Sequence, residues 1–409
     1  MSKAFKTFFF LLALGFLAMN PLVSCSDETQ EMMDLIEDTP DNSGSDDDDP
    51  VVTDPLAGLN LPEAYFNYAN QTVPGYINED NTGANTITDA IATLGRVLFY
   101  DTNLSENQTV SCASCHQQSH GFSDPEVQSI GKDGGLTGRH SMRLINSRFA
   151  EEVRFFWDER ATSLEEQTTQ PIRDHVEMGF SGEDGDPSFA DLLTRMQALA
   201  YYPVLFDDAF GTEAISEERM QLALAQFVRS IQSFDSKFDA GLAAVGLNNL
   251  NQDFPNFTAQ ENQGKRLFLT PPPQGGIGCA GCHRAPEFDI DPDSRNNGIL
   301  GIASMNGIDL TNTRSPSLRD LVRTDGSTNG PFMHDGSLTT LLDVINHYDQ
   351  IPVNNQNTNL DPRLSGPPGT PGNQNLNLTD AEKQALVAFL ETLAGSDVYT
   401  NEKWSDPFN

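Results

Sequence analysis

Two short stretches decide how the chain is read: Ser111-Cys112-Ala113-Ser114-Cys115-His116 and Gly278-Cys279-Ala280-Gly281-Cys282-His283. Each contains C-x-x-C-H, the attachment signature of c-type haem. Two thiols become thioethers to the porphyrin, and the adjacent imidazole falls beneath the iron as its proximal ligand. The chain has five cysteines, and these motifs use four of them. A zinc site would want its two C-x-x-C pairs about 15–20 residues apart, whereas these begin 167 residues apart. A thioredoxin-like dithiol would need a βαβ pattern nearby, and none is present. A disulfide between cysteines two residues apart would close only a strained loop. The expectation is two covalent haems, held by Cys112, Cys115, Cys279 and Cys282, with His116 and His283 as iron ligands.

The surroundings of the two motifs repeat. Gly95-Arg96-Val97-Leu98-Phe99-Tyr100 precedes the first by 17 residues, Gly to Cys, and Gly264-Lys265-Arg266-Leu267-Phe268-Leu269 precedes the second by 15. Helix-start signals stand before both: Thr88-Asp89, and the capping box Thr258-x-x-Glu261. Each half therefore reads as helix, loop, C-x-x-C-H, the order of a cytochrome c fold. A last helix starts at the capping box Thr379-x-x-Glu382 and lines up Leu386, Phe389, Leu390 and Leu393 on one face. Ser216–Lys237 reads as one amphipathic helix, with Met220, Leu224, Phe227, Val228 and Ile231 at helical spacing. Few stretches alternate as strands do. The expected fold is mainly α: two cytochrome c-like haem domains with long loops, residues 56–245 and 246–409.

The fifth cysteine has a different setting. Lys3 and Lys6 precede the apolar run Phe8–Ala18, which is too short to span a bilayer, and Leu22-Val23-Ser24-Cys25 resembles the lipobox of bacterial lipoproteins. Residues 1–24 are expected to be a signal peptide and Cys25 a lipidated anchor. Residues 25–55 are then a disordered acidic tether, because 26–50 hold eleven acids and no base. An exported lipoprotein follows, periplasm-facing or on the surface, in the outer membrane of a Gram-negative cell. With 24 basic against 59 acidic side chains and a net charge of −35, nucleic acid is excluded as a partner by repulsion from every phosphate.

Further motifs accompany the C-x-x-C-H pairs. They include Leu136-Thr137-Gly138-Arg139, Leu144-Ile145-Asn146, Phe155-Phe156-Trp157-Asp158-Glu159-Arg160 and Leu164-Glu165-Glu166-Gln167. Val176-Glu177-Met178-Gly179, Thr313-Arg314-Ser315-Pro316 and Pro331-Phe332-Met333-His334-Asp335-Gly336 complete the set. On these the sequence resembles the bacterial dihaem cytochrome c peroxidases and their MauG-type relatives, over roughly residues 60–400. The resemblance implies a peroxidatic N-terminal haem and an electron-relaying C-terminal haem. It makes Glu177 the catalytic acid/base, sets Gln167 and Pro171 beside it in the distal pocket, and puts Trp157 between the haems. The position of the loop His that caps the N-terminal iron in many peroxidases falls on Lys132, a poor ligand, so the first haem is expected to rest open. His120 and His140 are the nearby rivals. For the relay haem, counting from His334 leads to Tyr348, with Met333 as runner-up and His347 as a further rival. His140 stands where the family has an Asn ligand to calcium, and imidazole suits that hard cation badly, which argues against calcium.

The function expected on these grounds is reduction of hydrogen peroxide to water with electrons from a small cytochrome c or cupredoxin. Oxidation of a protein substrate, as by MauG, is the alternative, and a dihaem electron carrier is a third reading. Relatives often form homodimers.

Overall fold

The computed structural model describes residues 54–303, 307–366 and 372–409. The expected signal peptide, Cys25 and all but the last two residues of the expected tether lie outside the described residues. The architecture is mostly helical. Among the described residues the helices are α1 (Asp89–Tyr100), α2 (Cys112–Cys115), α3 (Leu164–Thr168), α4 (Gln170–Arg173), α5 (Phe189–Gln197) and α6 (Tyr201–Phe210). They continue with α7 (Glu217–Ser230), α8 (Lys237–Val245), α9 (Ala259–Leu269), α10 (Leu341–Asp349) and α11 (Asp380–Glu391). One antiparallel ladder joins β1 (His283–Arg284) to β2 (Asp289–Ile290), pairing His283 with Ile290. Long loops carry the rest.

The repeat seen in the sequence is physical. Helix α1 starts where Thr88 accepts a hydrogen bond from Ile91 N, and α9 and α11 start at the Thr258/Glu261 and Thr379/Glu382 capping boxes. α1 packs on α7, and α9 packs on α11. At the first crossing, a Cβ added to Gly95 would lie 2.0 Å from Ala223 O and 2.8 Å from Phe227 Cβ. At the second, a Cβ on Gly264 would lie 1.8 Å from Ala385 O and 2.8 Å from Phe389 Cβ. In both halves a glycine lets two backbones touch, and an aromatic four residues after the contacted alanine fills the space beside it.

Two apolar clusters result. One gathers Leu94, Leu98, Phe99, Phe122, Leu224 and Phe227, and the other Phe238, Phe254, Phe268, Phe288, Leu386 and Phe389. The end of the chain crosses back: Val398 and Trp404 join the first cluster. Trp404 Nε1 donates to Ser230 Oγ at 3.2 Å, and Arg96 Nε donates to Ser405 O at 2.6 Å. One expectation is corrected. The amphipathic stretch to Lys237 is not a single helix, because α7 ends at Ser230 and Ile231 is extended. Ser236 and Asp239 form a further capping box that starts α8, whose Phe238 and Leu242 belong to the second cluster.

Candidate functional site

Each C-x-x-C-H motif opens into its own cavity. The first, about 550 Å³, is lined by Cys112, Cys115 and His116 together with Trp157, Gln167, Pro171 and Glu177. The second, about 660 Å³, is lined by Cys279, Cys282 and His283 together with Trp157, Met333 and Tyr348. Both volumes fall in the range of cofactor pockets, roughly 300–1,000 Å³. The two C-x-x-C pairs face different spaces, so they do not converge on a single metal.

The donor sets fit haem c. All four cysteines are free. Burial pushes the thiols up, to about 12 for Cys112 and Cys279 and about 11 for Cys115. A redox dithiol needs the opposite, a stabilised thiolate. His116 Nδ1 lies 3.1 Å from both Phe122 O and Ser141 Oγ, which fixes the ring and leaves Nε2 without a hydrogen-bond partner among the described residues. That is the usual setting of a metal-binding imidazole. His283 Nδ1 is buried without any partner, and burial drives this imidazole down to about 4, so it is a neutral donor at pH 7.

Glu177 is the distinctive group of the first cavity. Its carboxyl accepts no hydrogen bond from a described residue, while its backbone is fixed at both ends: its N–H donates to Asp174 Oδ1 at 3.0 Å, and its carbonyl accepts from Lys132 N at 3.0 Å. Removal from water raises the carboxyl to about 7. Asp174 adds to the rise and Arg160 opposes it. Gln167, on α3, presents an amide that makes no side-chain hydrogen bond to a described residue.

Trp157 lines both cavities. Its Nε1 donates to His140 O at 2.7 Å, and its ring centroid lies 6.3 Å from that of His334.

The rival ligand positions separate clearly. Lys132 is buried away from the cavity, and its ammonium pairs with Glu106, with Asp133 at 3.1 Å and with Asp186 at 3.1 Å. Gly179, at φ +80°, makes room for it, because a Cβ there would lie 2.3 Å from Lys132 Cε. His120 is spent on Gly330 O at 2.9 Å and on Arg323 at 3.0 Å. His140 has Glu126 O 3.0 Å from Nδ1 and Ser123 Oγ 3.3 Å from Nε2, so both ring nitrogens are engaged. His347 Nε2 lies 2.9 Å from Asn297 O, and His334 Nε2 lies 3.0 Å from Gly301 O. His175 is exposed and pairs with Asp186 at 2.9 Å. In the second cavity Tyr348 and Met333 both remain, with the Met333 sulfur accepting from Asn297 Nδ2 at 3.5 Å.

Sequence reasoning passed over the supports of these groups. Glu106 and Asp186, which hold Lys132, look like ordinary loop acids in the sequence, and only the glycine- and acid-rich run Ser181–Asp186 could have pointed to one of them. Phe122 O and Ser141 belong to quoted or neighbouring motifs, but nothing in a linear pattern sets them beside His116.

Known proteins are similar to this chain. Residues 89–244 match the di-haem cytochrome c peroxidase family. The chain is 31 % identical to the methylamine utilization protein MauG of Methylophilus methylotrophus over 320 residues, covering 76 % of this chain and 84 % of that protein. It is 28 % identical to the cytochrome c551 peroxidase of Nitrosomonas europaea, covering 75 % and 80 %. A solved MauG-like protein associated with microbial copper homeostasis superposes with a TM-score of 0.64 at 28 % identity, covering 83 % of this chain and 99 % of that one. With its paired cavities, each lined by a C-x-x-C-H motif, and a relative of this similarity over most of both lengths, the chain belongs to the di-haem cytochrome c peroxidase/MauG family.

Proposed function

We propose that the chain reduces hydrogen peroxide to water, drawing two electrons from a small cytochrome c or cupredoxin. The observation that carries this reading is Glu177: a carboxyl without a hydrogen-bond partner among the described residues, raised by burial to about 7 and lining the same cavity as His116. Haem held by Cys112, Cys115 and His116 would supply there a Lewis-acidic, redox-active iron. The protein's own part is proton handling. Ionised Glu177 accepts the proton from one peroxide oxygen, and the Gln167 amide holds the molecule in place. Protonated Glu177 then donates to the departing oxygen as the O–O bond breaks. Glu177 only moves a proton that the peroxide already carries; hydrogen peroxide, two electrons and two protons give two waters, so both of those protons come from solvent. Trp157, on the wall of both cavities, is the conduit between the relay side and the reacting side.

The anchoring of Lys132 supports a first site that meets peroxide without a preliminary reduction step, since the loop side chain is tied to Glu106 and Asp186 rather than aimed at the cavity. Calcium is not part of the proposal: both ring nitrogens of His140 are hydrogen-bonded. The resemblance of Leu22-Val23-Ser24-Cys25 to a lipobox supports export as a lipoprotein. Steady-state oxidation of reduced cytochrome c by peroxide tests the activity. Absence of turnover in a protein carrying two haems would overturn it.

A second reading, oxidation of a protein side chain as by MauG, draws on Tyr348. This phenol lies in the second cavity with Cys279 and Cys282, and a hard anionic ligand there would favour the oxidised relay that such chemistry uses. Electron flow distinguishes the two: a peroxidase consumes reduced cytochrome c in proportion to peroxide, whereas the oxidase leaves it untouched and modifies a second protein.

A further inference from the structure

A thin wall separates the two cavities. His140, Ser141, Arg143, Trp157, Ser315 and Pro316 face both sides of it; burial lowers His140 to about 4, so at pH 7 only Arg143 of these carries a charge. A buried guanidinium is costly unless acceptors satisfy it. Arg143 is 7 % exposed, yet no described residue accepts a hydrogen bond from it or forms an ion pair with it, and its Nε is sealed off without a partner. Its guanidinium carbon lies 5.9 Å from the centre of the Phe332 ring. Asp320 and Tyr399 act on it only through space, and although burial lowers it to about 10 it stays charged at pH 7. Other buried arginines have acceptors. Arg319 donates to Asp239 Oδ2 at 2.9 Å and to Pro286 O at 3.0 Å, Arg229 pairs with Glu165, and Arg314 reaches Glu152 O at 3.2 Å. Arg143 therefore lacks an anion, and the spaces beside it are the two cavities.

We propose that Arg143 is a carboxylate-binding residue shared by both cavities, and that it takes the propionates of the two porphyrins. A porphyrin attached through its vinyl edge carries its only anionic groups on the opposite edge. The acids that line the cavities, such as Glu177, Asp289 and Asp361, neither hydrogen-bond nor ion-pair with Arg143, so the missing anion arrives with the guest. Guanidinium matches a carboxylate with two parallel hydrogen bonds, a geometry lysine cannot reproduce. A fixed cation between the two sites also favours the reduced state of each, which eases electron arrival on either side. The inference rests on the two-haem reading above.

The test uses the full, haem-loaded chain, its R143M variant and R143K. Each preparation is weighed first; a wild-type chain without two haem adducts would refute the haem reading and this inference together. Resonance Raman spectra then report the propionate bending bands, and spectroelectrochemistry the midpoint potentials. In R143M the bands of both haems are expected to move toward weaker hydrogen bonding and both potentials to fall, with R143K intermediate. Two adducts with wild-type bands and potentials would overturn the clamp and leave the haem reading intact. A change confined to one haem would overturn the shared role. Should R143M not accumulate, R143K decides: bands identical to wild type would contradict the proposal.

Discussion

Lys132 Nζ lies 3.1 Å from Asp186 Oδ1, and this ion pair fixes the loop against the segment that carries Glu177. The fixing is reinforced by Lys132 N, which donates to Glu177 O at 3.0 Å, and by Gly131, where a Cβ would lie 1.8 Å from Val176 O. The loop and the segment that carries Glu177 are therefore one mechanical unit.

Replacing Lys132 by Met leaves Asp186 and Glu106 facing each other without their cation. Since Glu106 is partly exposed, the expected loss is on the order of 2 kcal/mol, between that of a surface pair and a fully buried one. Urea denaturation reads it, and unchanged stability would contradict the anchor. The pH dependence has a defined sign. Asp186 is held at about 2, below its ordinary 3.8, so its contribution is fully present above the ordinary value and is lost as pH falls through about 2.

Glu177→Gln should lower turnover by roughly 10²–10⁴-fold, the usual worth of a positioned acid/base, while both haems stay attached. In the wild type the base must be ionised, so the rate of reaction with peroxide rises with pH through about 7 and then levels. The folded state holds this proton more tightly than the unfolded chain does. The carboxyl therefore costs stability as pH rises from its ordinary 4.5 through about 7, and the Gln variant should lack that slope. A pH–rate profile with no inflection near 7 would remove Glu177 from its role.

Gly264→Ala should cost about 3 kcal/mol, because the added methyl meets the α11 backbone at Ala385 rather than a movable side chain. Gly95→Ala should do the same at the equivalent crossing. Gly58→Ala, with open space around it, should change stability by less than about 0.5 kcal/mol. Equal stabilities for the Gly264 and Gly58 variants would show that the close approach is absent.

Trp157→Phe keeps an aromatic ring in the wall between the cavities but removes the donor to His140 O. Stopped-flow traces should show slower electron transfer from the relay side with unchanged peroxide binding. Identical transfer rates would make Trp157 a packing residue.

Much of this was legible from the chain alone, because C-x-x-C-H is a local signal and capping boxes mark helix starts without tertiary help. Thr258/Glu261 and Thr379/Glu382 cap the helices they announce. The division of the stretch ending at Lys237 was less legible: apolar spacing continues smoothly past Ser230, and only the second cap at Ser236 ends the period. Long-range partners left no linear trace. Asp186 lies 54 residues from Lys132, and Trp404 lies 174 residues from Ser230, so each pairing is set by how the loops and the tail return across the helices. Arg143 was invisible for a related reason, since nothing in its neighbours announces that it would be buried without an acceptor.

In the proposed reaction the first cavity, lined by Glu177, meets peroxide without prior reduction. The direct measurement mixes fully oxidised, never-reduced protein with hydrogen peroxide and reduced cytochrome c in a stopped-flow spectrometer. Oxidation of cytochrome c beginning without a lag, at the rate seen after prior reduction, is the predicted result. A lag that disappears only on pre-reduction would contradict it.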